Sequence, residues 1–182
     1  MVTASELMTV AEFQSIPDPP GGRYELHLGE LVFVTFARPE HNDIEHSLVQ
    51  LLRPFARGLG VVRMEYPFRV MPEFDLRSAD VAFISHSRRE QMAGDYLAGA
   101  PELVIEVLSP SNTRKEMREK ASLCLTHGAL QFWEVDAAQR CVFVSSGRGT
   151  RLRAGSGGAI DLRELFGAGE LPVDEIFAPA ED

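Results

Sequence analysis

Hydrophobic positions along this chain switch between two periods. Near the start, Thr9 and Glu12 form a possible capping box that opens a short helix through Phe13, and the loop at residues 17–22 ends it. Strand-like runs then flank Leu28 and Gly29, which predicts a β-hairpin. From Pro39 onward, Ile44, Leu48, Leu51, Leu52 and Phe55 recur at helical spacing, and Pro54 is expected to kink or end that helix. Residues 61–70 read as a strand whose Pro67 suggests an edge or a bulge. Residues 79–84 are the next strand, and residues 85–99 read as a loop or short helix, free to move. Residues 103–108 are apolar and β-branched, bounded by Ser109, Pro110, Ser111 and Asn112, so a central strand covered on both faces is expected. A helix from Thr113 to about His127 follows, with Glu116 completing a capping box and Gly128 supplying the stop. Residues 130–135, 141–145 and 151–153 predict a meander, and residues 160–166 a short helix. The order predicts an α/β (α+β) fold, a mixed β-sheet flanked by helices. The expectation is one domain over residues 1–182, with about seven N-terminal residues and residues 179–182 flexible.

Two residues break these patterns. Glu106 lies inside the apolar strand, where an uncompensated carboxylate costs several kcal/mol or so. Lys120 falls within the apolar arc of the next helix, among Met117, Ala121, Leu123, Cys124 and Leu125. Two misplaced charges of opposite sign on consecutive elements point to a polar site in the core. Lys115 and Lys120 are the only lysines, which sharpens the anomaly.

Composition changes the picture in three ways. No run reaches the length of a membrane span, and the N-terminus lacks the basic and apolar regions of a signal peptide. Cys124 and Cys141 have no metal-ligand spacing, so a reduced intracellular compartment is expected. The net charge of −9 gives a polyanion no general attraction, so any nucleic-acid contact needs a local basic patch.

Asp80 and Glu106 fall on consecutive strands. On neighbouring strands their carboxylates could converge on a hard cation such as Mg²⁺ or Mn²⁺, with the Val107 backbone carbonyl as a further ligand. A nearby lysine would orient water or stabilise developing charge, a sound arrangement for phosphodiester hydrolysis. Several segments carry a resemblance: Tyr24-Glu25-Leu26 with Gly29-Glu30-Leu31, Pro39-Glu40-His41, Ala79-Asp80-Val81, residues 100–111, Glu119-Lys120, and residues 132–136. In their order and spacing the chain resembles the Uma-two family of restriction endonucleases, within the PD-(D/E)XK nuclease superfamily, over roughly residues 8–166. The resemblance implies a restriction-endonuclease-like core and a metal site at Asp80 and Glu106. It also implies a lysine shifted from strand to helix, at Lys120, because Val107 and Leu108 fill the usual strand position. Glu25 and His41 match positions that line the same pocket. Ala79 departs from the proline that usually precedes the aspartate, and Glu116 from an aspartate common in the family.

Ordinary readings stay open at each residue. Asp80 could be a strand-start carboxylate, Glu106 the partner of a core arginine, Lys120 a snorkelling side chain, Glu25 an exposed strand residue and His41 a first-turn or packed histidine. Trp133 is expected in the core, and Ser109 and Ser111 in a turn. The leading expectation is a metal-dependent DNA endonuclease of a bacterial cytoplasm, a homodimer by analogy, with Glu25 completing its pocket. The alternatives are a catalytically silent nuclease fold that binds nucleic acid or a protein, and a hydrolase of smaller phosphate esters. Specificity would rest with loops such as residues 85–99.

Overall fold

The computed structural model describes residues 7–110, 112–147 and 149–179. The expectations of flexible ends at residues 1–6 and 180–182, and of a turn role for Ser111, lie outside the described residues. An eight-stranded mixed sheet forms the centre, in the spatial order β10-β9-β8-β7-β4-β3-β6-β5. Its strands are β3 (Gly60–Arg69), β4 (Arg77–Ser85), β5 (Met92–Ala93), β6 (Tyr96–Ala98), β7 (Leu103–Val107), β8 (Gln131–Asp136), β9 (Cys141–Ser146) and β10 (Arg151–Ala154). β7 pairs antiparallel with β4 and parallel with β8, so it lies mid-sheet with all five residues buried.

Helix α2 (Pro39–Ala56) covers one face and α4 (Arg114–Thr126) the other. The period-two alternation of β7 divides its side chains between them: Leu103, Ile105 and Val107 pack with Leu48, Leu52 and Trp133 on the α2 side. Val104 packs with Ala121, Cys124 and Phe132 on the α4 side. Glu106 shares that parity, so the strand itself aims its carboxylate at α4. The capping box of α4 forms as expected: Thr113 Oγ1 accepts from the Glu116 N–H, and the Glu116 carboxylate accepts from the Thr113 N–H and hydroxyl. This gives Glu116 its structural reason. The short helix α1 (Val10–Phe13) is capped the same way by Thr9 and Glu12.

The expected hairpin is β1 (Gly22–His27) with β2 (Glu30–Thr35). It docks outside the main sheet by a Leu26–Leu76 bridge, with Leu26, Val10 and Leu76 forming a small apolar cluster beneath. A C-terminal unit of β11 (Ala159–Asp161), α5 (Arg163–Phe166), β12 (Glu170–Pro172) and α6 (Val173–Ile176) lies against α2 and extends the core with Ile160, Leu162, Leu171 and Ile176.

Four expectations change. Pro54 does not end α2 at its own position: it is accommodated in the last turn, and the helix stops two residues later at Ala56. Of the loop or short helix expected over residues 85–99, the helix forms as α3 (His86–Arg89), and the rest adds an unexpected β5–β6 hairpin. Ile160 belongs to a strand, since β11 pairs with β12, and the helix begins only at Arg163. The irregularity expected at Pro67 falls instead at Glu65, whose φ is +47°. Pairing of β3 with β4 skips Glu65 and Asp80 alone within an otherwise unbroken register. Across that gap the alternation slips: Ala79 and Ala82 both pack on the α4 side, Val81 and Phe83 on the α2 side. Asp80 is thus held at a local distortion of the sheet rather than in a regular ladder position. Among the described residues, no helix is long and apolar enough to cross a membrane.

Leu48 is fully buried between α2 and the sheet. Leu48→Ala should lower the unfolding free energy by about 2–5 kcal/mol in urea titration with an unchanged m-value; a change under about 1 kcal/mol would show that the α2 face is not a close-packed core.

Candidate active site

The strand parity and the buried face of α4 bring Glu106 and Lys120 together. Lys120 Nζ lies 2.7 Å from Glu106 Oε2 and donates a second bond of 3.0 Å to the Ser78 carbonyl. Both side chains are about nine-tenths buried. Burial pushes the Glu106 carboxyl up, and the nearby Asp80 and Glu25 carboxylates add to this; Lys120 offsets only part of it. For Lys120 burial favours loss of the proton, but Glu106, Glu25 and Asp80 outweigh it and hold the ammonium charged. That imbalance fixes the state of the lysine: one amine among three carboxyl groups keeps its proton. Glu106 Oε1 is buried without a hydrogen-bond partner among the described residues. The same burial pushes the Cys124 thiol up to about 12 and leaves it inert.

Asp80 lies where the β4–β7 register stops, one position beyond the Val81–Ile105 pair. Its Oδ2 accepts the Val107 N–H at 2.7 Å, replacing a ladder bond with a charge-assisted one. From the α2 side, His41 Nε2 approaches Asp80 Oδ2 at 3.3 Å and Glu45 Oε1 at 3.0 Å. Burial alone would lower the His41 pKa; hydrogen-bonding and charge contacts to Asp80 and Glu45 raise it to about 10. Glu45 is pushed up by burial. Its buried Oε1 takes part in the 3.0 Å ion pair with His41.

Glu25 enters from the hairpin. Leu26 packs inward on α1, so Glu25 faces the other way, as the alternation along β1 requires. Its Oε1 accepts the Ser78 N–H at 3.2 Å, and its Oε2 lies 2.8 Å from His27 Nε2. Burial would raise Glu25, but the His27 bond and the charges of Lys120 and Arg23 exceed it and hold the carboxyl down to about 2. The Ser78 peptide therefore ties two site residues together, its N–H to Glu25 and its C=O to Lys120.

Asp80, Glu106, Val107, Lys120, Glu25 and His41 all line one cleft of about 1140 Å³. Its outer wall is the β1–β2 hairpin, including Val32, Phe33 and Phe36. Residues 85–99, expected to carry specificity, do not line it. The lining carries eight carboxylates against four Lys or Arg side chains. Oxygen donors and the orphaned Glu106 oxygen suit a hard divalent cation at Asp80 and Glu106. A second grouping places one ligand atom each of His41, Glu45 and Asp80 within 4.8 Å of one another. Glu45 was not singled out from the sequence, although a carboxylate flanking the Ile44–Leu48–Leu52 stripe, four residues after His41, carries the same misfit as Lys120. Arg23, which bridges Glu25 and Glu65 at 3.6 and 2.6 Å, offers no such signal.

A mixed sheet flanked by helices, with acidic side chains and a lysine gathered where β4 and β7 meet, is the restriction-endonuclease-like architecture. The family model described as "Putative restriction endonuclease", Uma2, matches residues 10–169, and the chain belongs to that family. Its fold is similar to a crystal structure titled as a "putative nuclease belonging to DUF820 from Anabaena variabilis ATCC 29413", with a TM-score of 0.78 and 18% identity over 93% of this chain and 97% of that one. No curated protein matches the chain.

Two stability outcomes follow from this geometry. Lys120→Met leaves the Glu106 carboxylate buried and unpaired, and should destabilise the protein by about 3–5 kcal/mol; adding Glu106→Gln should recover most of it, and no recovery would mean that the two side chains are not coupled. The folded Glu25 carboxyl titrates at about 2 against 4.5 for the free group, so its contribution is complete above pH 4.5 and is lost as pH falls toward 2. At ~1.4 kcal/mol per pKa unit, the gap in unfolding free energy between wild type and Glu25→Gln is about 3 kcal/mol near neutrality and should close on acidification. A gap independent of pH between 6 and 3 would contradict the assignment.

Proposed function

We propose that this chain is a divalent-metal-dependent endodeoxyribonuclease, acting in a bacterial cytoplasm and assembled as a homodimer, the last by analogy with its superfamily. The observation that carries the reading is the buried Glu106–Lys120 pair with a free Glu106 oxygen beside Asp80. Asp80, Glu106 and the Val107 carbonyl would hold Mg²⁺ or Mn²⁺. Such an ion activates water and neutralises charge on a scissile phosphate.

The chain's own residues supply the rest. Lys120 has three N–H donors, two of which are spent on Glu106 and Ser78, leaving one for the attacking water or a phosphate oxygen. Because it stays protonated, it acts as a donor and a fixed positive charge rather than as a base. Glu25 holds Ser78 and His27 in place and keeps a negative charge beside Lys120, which preserves the ammonium. The Val107 N–H fixes the Asp80 carboxylate, so that it does not have to be ordered when substrate arrives.

The surplus of carboxylates in the cleft favours a second reading, a nuclease fold that binds a partner without turnover. Supercoiled plasmid and single-stranded DNA, incubated with Mg²⁺, Mn²⁺ or EDTA, separate the two. Wild type should cleave only with metal, and Glu106→Gln and Lys120→Met should each lose at least about 100-fold in rate. Binding without cleavage by the wild type would transfer the assignment to the second reading, and equal activity in all three proteins would place the chemistry elsewhere.

A further inference from the structure

We infer that the β1–β2 wall of the cleft is a base-stacking surface, and that the DNA strand this site accepts is unpaired, with Phe36 against a base and Arg38 on a neighbouring phosphate. The inference rests on the nuclease reading for what happens to the strand once bound; the binding surface stands on its own residues.

The hairpin register aims this surface. Val34 lies opposite Arg23 and Val32 opposite Glu25, so both valines share the face that carries Glu25 into the cleft. The Phe36 N–H donates to the Gly21 carbonyl at 3.2 Å, which carries the ladder one step past the end of β2. Phe36 therefore continues the stripe of Val32 and Val34, and all three line the cleft. Its side chain is 67% exposed and has no ring partner among the described residues. Leu28, Leu31 and Phe33 of the same hairpin are exposed as well, so the ring belongs to an apolar patch and does not stand singly. Because Glu25 faces Val32 across the ladder, a base lying on the stripe has its phosphate directed to the acidic floor at Asp80 and Glu106.

Charge selects the occupant. Of the basic side chains in the lining, Lys120 is engaged by Glu106, Arg77 by Asp75, and Arg23 by Glu65 and Glu25. Arg38, exposed at the start of α2, has no acidic partner among the described residues. Duplex binding draws on many phosphate contacts from Lys and Arg. One free arginine, in a cleft with more carboxylates than cations and a chain of net charge −9, does not supply them. Stacking needs no such charge: a base on an aromatic ring strengthens binding by roughly five- to 150-fold. Only an unpaired base has a face to offer, since neighbouring pairs cover both faces within a duplex. The size agrees, because a cleft of about 1140 Å³ is close to a small-ligand pocket of roughly 300–1000 Å³ and suits a short stretch of one strand. The rival occupant of the patch is a second copy of this chain.

Fluorescence anisotropy of the full-length chain tests the inference in Ca²⁺, an ion that takes oxygen ligands and offsets the acidic floor. The probes are labelled oligothymidylate, a strand of equal length made of abasic sites, and a matched duplex. Oligothymidylate should bind tightest, and the other two at least about fivefold more weakly. Phe36→Ala should weaken oligothymidylate by about tenfold and leave the abasic strand unchanged, while Phe36→Trp restores binding. Arg38→Gln should weaken both single strands alike, since it meets the backbone they share. Equal affinity for the abasic strand, no binding of oligothymidylate, or wild-type affinity in Phe36→Ala would overturn the inference. So would a dimer in light scattering that Phe36→Ala splits with DNA affinity unchanged, which assigns the patch to the second copy. Phe36 is exposed, so none of these readings turns on a damaged core. Metal-dependent cleavage that Phe36→Ala leaves unaltered sinks the stacking wall and spares the nuclease; base-dependent binding without cleavage by the wild type does the reverse.

Discussion

The structure turns on one buried ion pair, Lys120 with Glu106. Neither charge could be where it is without the other, because each alone would face the cost of an isolated ion in a packed interior. The pair joins the mid-sheet strand to the helix that covers it. It also sets the sign and protonation of everything nearby. Lys120 steadies Glu25, and the three surrounding carboxylates keep the lysine charged. A core of hydrophobic side chains could hold β7 and α4 together as firmly. What the ion pair adds is a fixed charge at the floor of a cleft.

Around that pair the fold assembles its polar groups by backbone devices rather than by a single motif. The Ser78 peptide links the hairpin carboxylate to the helix lysine. The Val107 N–H takes an Asp80 oxygen in place of a ladder partner. The +47° φ of Glu65 releases Asp80 from regular pairing. The first two devices give partners to the Ser78 and Val107 backbone groups. The hairpin lies outside the main sheet, joined to it by the Leu26–Leu76 bridge, and its apolar side chains wall the cleft. Residues 85–99 build α3 and extend the sheet edge instead, away from the cleft lining.

Much of this was legible in the residues. The mid-sheet strand, both long helices, the capping boxes, the hairpin and the meander all follow from local period and punctuation. Glu106 and Lys120 stood out because a charge in an apolar pattern is visible without coordinates. Glu45 carried a similar signal on the flank of the α2 stripe but was masked by the run of ordinary helical charges around it. Arg23, Glu65 and the role of Ser78 were not legible, since ion pairs among half-exposed side chains and bonds made by peptide groups leave no compositional trace.

The sequence alone determined which residues would be buried misfits, because burial follows from periodicity, and periodicity is local. It also determined the family, through the order of short segments along the chain. Tertiary structure decided who meets whom. That Lys120 reaches Glu106 rather than Asp80, that His41 and Glu45 approach Asp80 across the sheet, and that β1 supplies Glu25 all depend on strand order and register. These are set by long-range packing of the whole core against the cost of ordering the chain, a balance that no short stretch of sequence contains.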